Sequence, residues 1–256
     1  KRFIEICRGE EKEMKAMALE NGEWILHGAD WDSPDRIRSW QELIEYVDAV
    51  GFLPLFKNEV EGFSVEEKTS PLFWWTGDPK QDPWEWRAII ARSEKVAYGK
   101  FFNKKAGFIS LRWFPYFANY RRDGYDFDAR WEDGLSGYRS KKIMDLFEVR
   151  KEYPSYELKK DAGFGKGGEK NFNGVVTELQ MQTYLVTRDF RQKRNRKGQA
   201  YGMAVSVYAT PEELWGYELV SGAYRESPEE SGKRILEQVK TFYPEAADKQ
   251  IRKVCK

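Results

Sequence analysis

"VTRDFRQKRNRKGQAYGMAVSVY", residues 186–208, sets two runs of alternating apolar residues on either side of a turn crowded with cations. Alternation at period two predicts a pair of antiparallel strands, and Gly198 suits the turn between them. Residues 188–197 carry Arg188, Arg191, Lys193, Arg194, Arg196 and Lys197 against Asp189 alone, a net charge of +5 on a chain whose total is +1. Two readings of this hairpin compete. Its cations can neutralise phosphates and release counterions, which drives nonspecific binding to nucleic acid. Alternatively, they only solvate the tip and keep an edge strand from pairing with another chain.

The segments upstream decide what kind of hairpin this is. "YRSKKIMDLFEVRKEYP" (138–154) predicts an amphipathic helix through Ile143, Leu146, Phe147 and Arg150, ended by Pro154. "SYELKKDAGFG" predicts a second, short helix capped by Ser155 and closed at Gly163, and "GEKNFNGVVTELQMQTYLV" a third with Phe172, Val175, Val176 and Leu179 on one face. Three helices followed by a two-stranded hairpin is the order of a winged helix, whose third helix enters the major groove while the hairpin follows the backbone. The outward residues expected on that third helix are Lys170, Asn171, Asn173, Thr177, Gln180 and Gln182. Asn and Gln suit adenine edges and Lys suits guanine, although any solvated helix face carries the same residue types.

Here the chain resembles a family. "YELKKDAGFG…FNGVVTELQMQTYLVTRDFRQK…KGQAYGMAVSVYATPEELWG" looks like the winged-helix region of AlkZ-like proteins, over roughly residues 138–216. These are bacterial winged-helix proteins related to DNA glycosylases that excise alkylated or crosslinked bases. The resemblance implies winged-helix architecture, double-stranded DNA as partner and a place in DNA repair. AlkZ-type glycosylases use a Gln-x-Gln or Gln-x-Asp motif in an early winged-helix unit. Gln180-Met181-Gln182 matches its letters at the end of the presumed recognition helix, a different context, where helical periodicity alone predicts an outward Gln pair flanking a buried Met.

The rest of the chain is read from its punctuation. The expected organisation is an aromatic-rich α+β N-terminal domain (1–137), the winged-helix module (138–216) and a C-terminal helical pair (217–256). In the first part, "EEKEMKAMALENG" (10–22) predicts a helix, and "SPDRIRSWQELIEYVDAVG" (33–51) a clearer one, capped by Ser33 and stopped by Gly51. Asp82 and Pro83 mark a helix start, and 95–114 a hairpin turning at Asn103-Lys104-Lys105. A helix and then an irregular acidic segment are expected over 114–134. Thr210 with Pro211 opens a helix over 210–216. The last stretch, 233–256, holds seven cations and three acids and is expected to extend the basic surface.

Other candidate sites have weaker support. "FWWTGDPKQDPWEWR" (73–87) places Trp74, Trp75, Trp84 and Trp86 beside Asp78, Asp82 and Glu85. Such a cluster either lines a cleft that stacks a flipped base, with one carboxylate as general base, or forms an aromatic minicore with capping Asp residues. "GFGKGGEK" (163–170) contains Gly-x-Gly-x-x-Gly, but it follows a helix rather than a strand, so it reads as a connection. Asp126, Asp128, Glu132 and Asp133 fail the calcium-loop pattern at Arg130 and Trp131. One histidine, His27, and two distant cysteines, Cys7 and Cys255, supply no metal set, and no cofactor is expected. With no apolar run of membrane-spanning length and no secretory segment, a cytoplasmic location is expected. Three functions follow: a DNA-binding protein, an active glycosylase, or a protein-interaction module with a merely solvated wing.

Overall fold

A computed structural model describes residues 26–255 together with the backbone of 19–20 and 23–24. The helix expected over 10–22 falls outside these residues except at its end, where Leu19–Glu20 (β1) pairs antiparallel with Glu23–Trp24 (β2). Cys7 also lies outside them.

Helix α1 spans Trp40–Val50, and its cap is Ser39, which accepts the Glu42 N–H, rather than Ser33 as expected. The segment ahead of it is held elsewhere. The Ile37 N–H donates to Lys68 O, and Arg38 wraps back onto the Ser33 and Pro34 carbonyls. Gly51 ends α1 at φ +98, where a Cβ would also stand 2.6 Å from the Trp113 ring. Strand β3 (Phe52–Pro54) follows at once, then the short α2 (Val65–Lys68) and α3 (Pro83–Ser93), capped by Asp82. Strands β4 (Val96–Phe102) and β5 (Lys105–Ser110) meet at Asn103 and Lys104, whose φ values of 48 and 65 suit a two-residue hairpin turn. The three strands form an antiparallel sheet in the order β3-β5-β4. Helix α4 is Phe114–Arg122. The segment expected to be irregular beyond it contains α5 (Phe127–Glu132), which buries Phe127.

Helix α6 (Tyr138–Val149) stops at Arg150, earlier than Pro154. Glu152–Pro154 instead forms strand β6, because a residue preceding proline is pushed out of the helical region and this one finds backbone partners on an adjacent strand. Helices α7 (Ser155–Asp161) and α8 (Phe172–Met181) follow, and Ser155 makes no side-chain cap bond. Strands β7 (Val186–Arg194) and β8 (Ala200–Ala209) are the predicted hairpin, and β6 extends it to a sheet of order β6-β8-β7. Helices α9 (Pro211–Trp215), α10 (Tyr217–Val220), α11 (Pro228–Phe242) and α12 (Asp248–Cys255) complete a mixed α+β fold.

Buried side chains gather in two clusters. The first is dominated by rings: Phe52, Phe63, Trp74, Trp86, Phe101, Phe102, Phe108, Phe114 and Phe117. Ile235, Val239, Ile251 and Val254 of α11 and α12 close it. The second joins Ile143, Leu158, Phe172, Val176, Leu179, Tyr184 and Tyr208 of the α6–β8 segment with Phe127. Rings of this size remove the most apolar area per residue from water, so the first cluster carries much of the stability.

Candidate nucleic-acid interface and the cleft beside it

The cations of the β7–β8 hairpin divide into two sets. Near its base, Arg188 bonds Glu94 and Glu152, each at 2.9 Å. Arg191 bonds Glu152 at 2.6 Å and Asp189 at 2.7 Å, and Arg92 also reaches Asp189. These two arginines are spent on carboxylates, which corrects the expectation that they stand ready for phosphates. Toward the tip, Lys193 lies over the Tyr156 ring at 5.3 Å and Arg194 donates to Gly198 O, while Arg196 and Lys197 are exposed. Among the described residues, none of these four makes an ion pair. The C-terminal cations are partly compensated as well: Arg234 pairs with Glu226, Lys240 with Asp248 and Lys253 with Glu59.

Helix α8 exposes Asn173 in its first turn and half-buries Thr177, while Asn171 is its N-cap residue and Lys170 precedes it, both exposed but not on the helix face where they were expected. Gln180 is a correction: it is 2% exposed rather than outward. Its Oε1 accepts the Lys100 N–H at 3.1 Å and the Thr187 hydroxyl at 3.4 Å, while Nε2 donates to Val176 O. Gly99 allows this docking, since a Cβ there would stand 2.8 Å from the Phe101 ring and 3.3 Å from Gln180 Oε1. Met181 is half-buried and its sulfur accepts the Lys104 N–H, while Gln182 stays at the surface with its amide on Glu178. The two glutamines therefore serve different environments and form no pair.

The aromatic segment 73–87 is mostly interior. Trp74 and Trp86 are 1% exposed and Trp75 is 9% exposed, so of the two readings the aromatic minicore with a capping Asp82 holds for these three, which cannot stack a base, and Trp84 alone of the four borders a cleft. Trp74 donates its indole N–H to Thr69 Oγ1 at 2.9 Å. The Asp82 carboxylate accepts the N–H groups of Trp75, Gly77 and Trp84 at 3.1, 2.9 and 2.8 Å. Burial nevertheless pushes its carboxyl above the ordinary value, against the pull of those donors. Asp78 bonds Lys80 N–H and the Gln81 amide, and Glu85 is half-buried on α3. Asp82 is thus a structural anchor. Asp82→Ala should lower unfolding free energy by about 2–3 kcal/mol, through the lost cap and the orphaned donors, measured by urea titration.

A cleft of about 480 Å³ opens where β4, β5 and α3 face α8 and the β7–β8 sheet. Trp84, Tyr98, Phe190 and Tyr208 contribute rings to its lining, with Tyr98 and Phe190 centred 5.9 Å apart. Burial pushes the Tyr208 hydroxyl up to about 12, so it stays protonated at neutral pH. Arg87, Lys100, Lys104 and Lys105 supply cations, Asn173, Gln180, Thr187 and Ser206 polar atoms, and among the described residues no carboxylate lines the cleft. Trp84, Asn173 and Gln180 stand out singly in the sequence, but their meeting in one site does not, since the lining comes from six elements, α3, β4, β5, α8, β7 and β8.

Other features resolve as structure. Glu169 in the glycine-rich connection pairs with Arg139 and Lys142, and Asp126 accepts the Tyr217 hydroxyl. Burial raises the Cys255 thiol to about 12, which leaves no reactive thiolate there. Among the described residues, no three His, Cys, Asp or Glu side chains are grouped to hold a metal, and no helix is long and apolar enough to cross a membrane.

The fold and site define a mixed α+β protein with a cationic hairpin tip and, at the base of the same hairpin, an aromatic cleft lined by cations. Residues 37–256 match the model of the AlkZ-related family, and the chain belongs to that family. Comparison with curated proteins found no match. Comparison with solved structures found none either.

Proposed function

We propose that residues 138–216 form a winged-helix module that binds double-stranded DNA, with the N-terminal turn of α8 directed to the groove and the hairpin tip to the backbone. Support comes from the order α6-β6-α7-α8-β7-β8 with sheet order β6-β8-β7, in which three helices are followed by a wing. The observation that carries the proposal is the tip itself. Lys193, Arg194, Arg196 and Lys197 sit within five residues without an ion pair among the described residues, and Lys170, Asn171 and Asn173 at the start of α8 are exposed as well. A cluster kept free of acids is what phosphate neutralisation requires. Membership in the AlkZ-related family adds to this reading. Base excision is not part of the proposal: Gln180, the residue of Gln180-Met181-Gln182 that lines the cleft, is held by Lys100, Thr187 and Val176, and Asp82 is engaged by three amides.

The test is the salt dependence of binding of the full chain to random-sequence duplex. Each lost phosphate contact should remove about 0.9 from the log–log slope. Lys193→Ala, Arg194→Ala, Arg196→Ala and Lys197→Ala together should therefore flatten it by roughly 3–4. Arg191→Ala, which removes a cation already paired with Glu152 and Asp189, should leave the slope near that of the wild type. An unchanged slope in the fourfold variant would overturn the role of the wing.

A further inference from the structure

We propose that the cleft between the β3-β5-β4 sheet and α8 binds a single nucleotide, its base against aromatic rings and its phosphate against lysines. If the nucleotide belongs to a strand, this deepens the DNA-binding reading and rests on it. If it is free, the site stands alone. The volume of about 480 Å³ lies within the range of small-ligand pockets.

Two independent features specify the ligand. The first is charge. Lys100, Lys104 and Lys105 are exposed or half-exposed on one hairpin, Arg87 joins them from α3, and among the described residues none of the four makes an ion pair. Glu59 feels the charge of Lys105 but is itself bonded to Lys253. Arg87 is likewise near enough to Asp82 to act on its carboxyl, but that carboxylate is held by three amides, so four cations on one concave surface leave an excess of positive charge that favours an anion. The second feature is the wall. Arg87 lies over the Trp84 ring and 5.2 Å from the Phe190 ring centre, and its Nε donates to Trp84 O, which holds the guanidinium in place. A planar cation backed by rings is a stacking platform for any nucleobase. Between the two lies Gln180, whose Nε2 gives one hydrogen to Val176 O and retains a second, and Asn173 at the rim adds another amide. An inorganic anion would leave the rings unused, and a neutral aromatic would leave the lysines unused.

The experiment measures affinity of the full chain for three probes: a fully paired duplex, the same duplex with one unpaired nucleotide, and 2-aminopurine deoxynucleoside monophosphate. Wild type should prefer the duplex with the unpaired nucleotide by about tenfold, the scale of one stacked base. Trp84→Leu should abolish that preference while leaving fully paired duplex unchanged. Lys104→Ala/Lys105→Ala, two exposed changes that spare the fold, should abolish it too. The fourfold wing variant should weaken both duplexes and keep their ratio. Saturable binding of the free nucleotide, lost in the cleft variants and with no preference among duplexes, supports the cleft with a free nucleotide as its ligand. If paired duplex is not bound but the free nucleotide is, the DNA-binding reading fails and the cleft proposal stands. No preference and no binding of free nucleotide would overturn the cleft proposal, whatever the paired duplex does. So would a preference that survives in both cleft variants.

Discussion

Arg122→Ala is expected to lower the free energy of unfolding by about 2–4 kcal/mol, from the cavity and the orphaned Thr183 groups, with the part-exposed Glu212 adding less than a fully buried partner would. Arg122 is 1% exposed and ends α4 in the first core. Its Nη1 bonds Glu212 at 2.6 Å and the Tyr224 hydroxyl at 3.2 Å, and its Nη2 and Nε reach Thr183 O at 2.8 Å and Thr183 Oγ1 at 3.2 Å. Thr183 sits between α8 and β7, and Glu212 lies on α9, so one guanidinium ties the aromatic core to the segment that carries the wing. Truncation leaves the Thr183 carbonyl unpaired in the interior and strips Glu212 of its partner, and alanine fills none of the lost volume. Urea unfolding checks this directly. A loss below about 1 kcal/mol would mean that the pair contributes no more than a surface salt bridge.

Trp74→Ala should destabilise the chain by about 3–5 kcal/mol, whereas Trp84→Ala should cost clearly less. The distinction matters because the two rings are near neighbours in a segment that reads as one cluster. Trp74 is 1% exposed, with ring centres of Phe56 and Trp75 at 5.6 and 5.5 Å, and its indole N–H satisfies Thr69. Removing it opens a large cavity and takes from the buried Thr69 hydroxyl the N–H donor it accepts, although that hydroxyl still donates to Val65 O. Trp84 is half-buried and faces the cleft. Denaturation midpoints of the two variants, set beside their nucleotide affinities, separate packing from recognition. Trp74→Ala with wild-type stability and lost affinity would reverse the assignment.

Much of the local structure was legible in the residues. Asp82-Pro83 and Thr210-Pro211 open helices as their capping chemistry requires. Gly51 ends α1, and alternation located both strands of the basic hairpin. The errors came where a distant partner overrode a local preference. Ser33 is a good cap by type, but Ile37 is held by Lys68 from another segment, so the helix starts at Ser39's N-cap instead. Glu152–Pro154 is too short to announce itself as a strand, and only β8 makes it one. Gln180 reads as outward from helical period alone, and it is buried because β4 docks there at Gly99.

By itself the sequence determined the order of helices and strands and the position of the basic turn, because caps, turns and alternation act over a few residues. Tertiary structure decided which charges remain available. Arg188 and Arg191 are neutralised by Glu94 and Glu152, 94 and 39 residues away in the chain, and the four tip cations are not. It also decided that Trp74 and Trp86 pack inside while Trp84 borders a cleft, since burial depends on which elements meet and residue type does not encode that meeting.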